Sequence, residues 1–68
     1  MDKLINSIKE LHKQDIELSL KTEFSVHYGW VIEVIRKGYD MPIVEVNDNS
    51  FDKAIELTYS ELKQLREI

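Results

Sequence analysis

The chain has two histidines, His12 and His27, thirteen Asp and Glu residues, and no cysteine. Acid–base or metal chemistry would draw first on these groups. The lack of a thiol removes Cys nucleophiles, zinc–thiolate centres and disulfides. No ligand spacing ties the two histidines to each other or to an acid. His12 follows the apolar stripe of an N-terminal helix, where a partly buried imidazole near the negative helix end is expected. His27 lies in Ser25-Val26-His27-Tyr28-Gly29, a hairpin tip, where it serves shape or solubility more readily than ligation. Asn47-Asp48-Asn49 has a faint calcium-loop look, but it lacks the glycine and the distant bidentate glutamate of such loops, so turn chemistry explains it better. Two glycines cannot build a dinucleotide fingerprint, and no phosphate loop, nucleophile elbow or Ser/His/Asp order is present. No catalytic residue, metal ligand or cofactor-binding residue is assigned. The expectation is a protein that is not an enzyme and takes no cofactor.

The acids carry a different message. The formal net charge is −4 and the pI near 5.0. A binder of nucleic acid normally needs a basic surface to displace counterions, and docking on an anionic membrane needs the same sign, so both are disfavoured. From Gly38 to Asp52 the acids Asp40, Glu45, Asp48 and Asp52 occur without a base. This makes a solvated rim or a surface that steers a basic partner. Glu33 stands between Val31 and Ile35, either as an orienting group at an interface or as a cross-strand partner for Lys21.

The elements that position these residues follow from periodicity. Leu4, Ile5, Ile8 and Leu11 fall at three-and-four spacing and predict a helix over residues 2–12, with Asp2 available to cap its first amides. Residues 16–26 alternate, with Ile16, Leu18, Leu20, Phe24 and Val26 on one face and Glu17, Ser19, Lys21, Glu23 and Ser25 on the other, which predicts a strand. Residues 30–36 are apolar on both faces, as in a central strand. Gly29 and Gly38 supply positive φ at the flanking turns. A third strand is expected over residues 40–46, at a sheet edge because Pro42 has no N–H to give a ladder. Ser50 is the N-cap of a second helix, whose stripe of Phe51, Ala54, Ile55, Thr58, Leu62 and Leu65, with Tyr59 beside it, runs to the C-terminus. Asp52 and Glu56 lie near its positive end, Lys63 and Arg66 near its negative end.

These elements make one α+β domain over residues 1–68: a two-layer sandwich of order α-β-β-β-α. Its three-stranded antiparallel meander has both helices on one face. The covered face is expected to take Ile16, Leu18, Leu20, Phe24, Trp30, Ile32, Val34, Val44 and Val46. The open face then shows Val31, Glu33, Ile35, Met41 and Ile43, with Tyr39 nearby. An apolar cluster there approaches the size at which patches serve as partner surfaces. A core this small, with no disulfide, also gains from association. Val31, Glu33, Ile35, Tyr39, Met41 and Ile43 are therefore the candidate partner-binding residues. The partner is another protein, of basic character, or a second copy in a homodimer.

The α-β-β-β-α order resembles the double-stranded-RNA-binding domain over the whole chain. That resemblance implies phosphate contacts from a lysine-rich start of the second helix. The matching stretch here, Ser50-Phe51-Asp52-Lys53-Ala54-Ile55-Glu56, places a single lysine between acids. From Gly29 to Leu65 the strand-turn-helix portion is similar in style to HicB-type antitoxins, which implies a small sheet and helix holding a basic toxin. The Ile-, Lys-, Glu- and Asn-rich style and tiny size suggest a bacterial or phage accessory protein. No secretory signal, membrane-length apolar run or lipidation motif is evident, so a cytoplasmic location is expected. The reading that results is a small acidic non-enzymatic interaction module, in the manner of an inhibitor or antitoxin. The alternative is a nucleic-acid-binding domain of double-stranded-RNA-binding topology.

Overall fold

The computed structural model describes residues 2–65. Helix α1 (Asp2–His12) leads into strands β1 (Leu18–Ser25), β2 (Gly29–Arg36) and β3 (Val44–Asp48), and helix α2 (Phe51–Gln64) follows. The sheet is an antiparallel meander of order β1-β2-β3. Arg66, expected in the last turn of the second helix, lies outside the described residues.

The periodic stripes build one core. Leu4 and Leu11 from α1 and Ala54, Ile55 and Leu62 from α2 meet Leu18, Ile32, Val34, Val44 and Val46 of the sheet. All the strand members are even-numbered, so both helices lie on the same face. Thr58 is fully buried within α2, and its hydroxyl donates to the Ala54 carbonyl at 2.8 Å. Ser50 caps α2 as expected: its Oγ accepts from the Lys53 N–H at 3.3 Å, and Asp48 Oδ1 accepts from the Ser50 N–H at 2.9 Å. Asp2 opens α1 from within its first turn, where a carboxylate meets the positive end of the helix dipole.

Three features depart from the sequence reading. Helix α1 ends in a Schellman motif, with Ile16 N–H donating to the Leu11 carbonyl at 3.0 Å and Asp15 N–H to His12 at 3.1 Å. Asp15 takes the left-handed position at φ 64°. That motif consumes residues 13–16, so β1 starts at Leu18 and not at 16. The third strand starts at Val44 and not at 40. Gly38, at φ 92°, and Pro42 hold residues 37–43 in a turn and bends, and the ladder is first joined by the Ile43 N–H, which donates to Val34 O at 2.8 Å.

The third departure concerns coverage. Phe24 was expected in the core but is 60% exposed, and Val26 is 90% exposed in the hairpin turn. Ile16, Leu20 and Trp30 are half-buried at the core margin. The cause is placement: Asp2, Lys3 and Leu4 of α1 lie beside Ile55 and Tyr59 of α2, and α1 has little contact with β1. Helix α2 lies over β2 and β3, so the end of β1 from Lys21 to Phe24 is left bare.

Candidate interaction surface

The strand register sets the open face in rows. Ser19 lies opposite Ile35; Lys21, Glu33 and Glu45 form the central row; Glu23, Val31 and Asn47 form the third. Val31, Glu33 and Ile35 therefore share the middle of this face, all three half-buried by their neighbours. No helix of the described residues crosses it. Glu33 does stand opposite Lys21, but its other neighbour is Glu45, a like charge.

The remaining candidates are not on this surface in the expected way. Tyr39 and Met41 sit in the loop before β3, 56% and 74% exposed, with the Arg36 guanidinium 5.5 Å from the Tyr39 ring centre. Ile43 is half-buried and packs against the core. The expected contiguous apolar cluster is thus two apolar side chains, Val31 and Ile35, set among charge and amide. The alternation of β2 was legible, but a residue's cross-strand neighbours depend on register.

An aromatic end was not foreseen. Phe24, Trp30 and Phe51 make a chain of edge-to-face contacts, with ring centres 5.3 Å and 4.9 Å apart. Trp30 and Phe51 are half-buried, while Phe24 is left outside the helix layer.

Among the described residues the titratable groups do not converge on a reactive centre. His12 is exposed rather than partly buried, with Nδ1 3.7 Å from Glu17 Oε1, while Lys37 Nζ lies 3.6 Å from Glu17 Oε2. With Asp15 and Arg36 they line a shallow groove of mixed charge. His27 is at the hairpin tip, where Ser25 Oγ accepts from the N–H groups of His27 and Tyr28. Of the acidic segment, Asp48 is engaged in the α2 cap and Asp40, Glu45 and Asp52 are exposed. Among the described residues no cluster of three potential metal ligands exists, and no buried side-chain polar atom lacks a partner. No described helix is long and apolar enough to cross a membrane.

Compared with known proteins, the chain matches no family model, no curated protein and no solved structure.

Proposed function

We propose that this chain is a non-enzymatic protein-interaction module that receives a basic protein partner on its open sheet face. The observation that carries this reading is the middle of the sheet that no described helix covers, where half-buried Val31 and Ile35 flank Glu33. Glu23, Glu33 and Glu45 outnumber Lys21 there, so the face is acidic as well as partly apolar. Apolar contacts would supply affinity, and the carboxylates would steer a cationic surface and set its register.

The experiment is affinity capture from the source organism with wild type, Ile35→Asp and Glu33→Lys, followed by titration of the purified captured protein. A basic partner, weakened by high salt and lost with both variants while their circular dichroism stays native, is the expected result. Capture indifferent to both variants removes the reading. Salt-steep affinity for double-stranded RNA, abolished by Lys53→Ala, would replace it with the nucleic-acid alternative.

A further inference from the structure

We infer that β1 is a self-pairing edge: a second copy of this chain adds antiparallel to it, on a twofold axis at Thr22, giving a continuous six-stranded sheet. The two outer strands of the sheet differ in how they treat their unpaired edges. β3 has five residues and is preceded by Pro42, both of which blunt an edge. β1 has eight residues with neither proline nor glycine, and Lys21, Thr22, Glu23 and Phe24 are all exposed.

The ladder restricts how two copies of β1 can meet. Lys37 N–H donates to Glu17 O at 2.9 Å, so the odd-numbered residues at this strand direct their backbone groups toward β2. By the period of two, Leu18, Leu20, Thr22 and Phe24 direct theirs outward. A symmetric antiparallel pair must join even-numbered residues to even-numbered ones. Centred on Lys21 it sets Lys21 against Lys21, and centred on Glu23 it sets Glu23 against Glu23. Centred on Thr22 it sets Lys21 opposite Glu23 twice. Those are non-hydrogen-bonded positions, where Cα atoms stand about 4.5 Å apart and side chains are closest.

The same register suits the other face. It places exposed Phe24 opposite Leu20 of the second copy, an aromatic–aliphatic pair. It also sets the bare half of β1 against the half that α1 covers in the second copy. The interface is isologous, so it closes at two copies. The open faces then become one surface with twice the area available to a partner, although the pairing stands independently of that partner.

Sedimentation velocity across a wide concentration range tests this. Wild type is expected to move from 8.1 kDa toward twice that mass. Glu23→Lys, which leaves Lys21 facing lysine, is expected to weaken association about tenfold or more, and the exchange Lys21→Glu with Glu23→Lys to restore it. Thr22→Pro removes an outward N–H that no protomer bond uses, and is expected to keep the fold and abolish the dimer. The chain has no native cysteine, and hydrogen-bonded partners on the axis sit about 5.5 Å apart, within disulfide reach. Thr22→Cys is therefore expected to form a covalent dimer on oxidation far faster than Leu57→Cys. Wild type that stays monomeric at every concentration overturns the proposal, as does equal cross-linking of the two cysteine variants. Association abolished by Ile35→Asp but untouched by Glu23→Lys and Thr22→Pro would also overturn it, moving self-association to the open face.

Discussion

Gly29 and Gly38 both adopt positive φ, 76° and 92°, but for unequal reasons. A Cβ on Gly38 would meet nothing within 4 Å, so its glycine answers to the turn alone. A Cβ on Gly29 would lie 2.7 Å from Asn49 Oδ1 and 2.8 Å from Asp48 O, because the first hairpin rests against the entry to α2. Denaturant titration should find Gly38→Ala costing about 1 kcal/mol, the strain of a left-handed residue. Gly29→Ala should cost about 1–3 kcal/mol more, since backbone must shift to admit the methyl group. The demand for glycine at both turns was readable from spacing. The close approach at one of them was not, because Asp48 and Asn49 are distant in sequence.

At the scale of elements, the most informative junction is the end of α1. A Schellman motif usually places glycine in its left-handed position, and here Asp15 occupies it while Ile16 and Leu11 supply the hydrogen-bonded closure. Asp15→Gly is expected to raise stability by about 0.5–1 kcal/mol, since it relieves left-handed strain and offsets glycine's greater unfolded-state freedom. A lower unfolding midpoint would contradict that account. Without a glycine to mark the stop, the alternation of residues 16–26 reads as unbroken strand. Ile16 keeps the right parity but belongs to the helix terminus. At the third strand Pro42 carried a true signal of an edge, yet it delayed the strand instead of sitting inside it. The stripe of α1 and the cap at Ser50 needed no such correction because they depend on local spacing and local hydrogen bonds, whereas the stripe of α2 holds only to Leu62: Leu65 is the C-cap residue and is 51% exposed.

For the whole molecule, the row Lys21–Glu33–Glu45 links stability to the proposed partner surface. Glu33 and Glu45 face each other at a non-hydrogen-bonded pair, a repulsive arrangement that a fold selected for stability alone has no reason to keep. Glu45→Lys is expected to stabilise the protein by about 0.2–1 kcal/mol in thermal unfolding and, under the proposed function, to weaken capture of a basic partner. A variant that is more stable and binds equally well would separate Glu45 from the proposed interface. The open face was legible in advance as a consequence of two helices and one sheet. Its composition was only half legible: Val31, Glu33 and Ile35 share it, whereas Tyr39 and Met41 stand in a loop and Ile43 leans on the core.

Local periodicity in the amino-acid order was enough to determine the five elements, their antiparallel sequence and the even-numbered core, because amphipathic segments have few ways to hide their apolar sides. Tertiary structure decided what covers what. The placement of α1 beside α2 leaves Phe24 and the outer rim of β1 bare, and the register places acid against acid beside Ile35 and Val31. Both outcomes depend on distances between segments far apart along the chain.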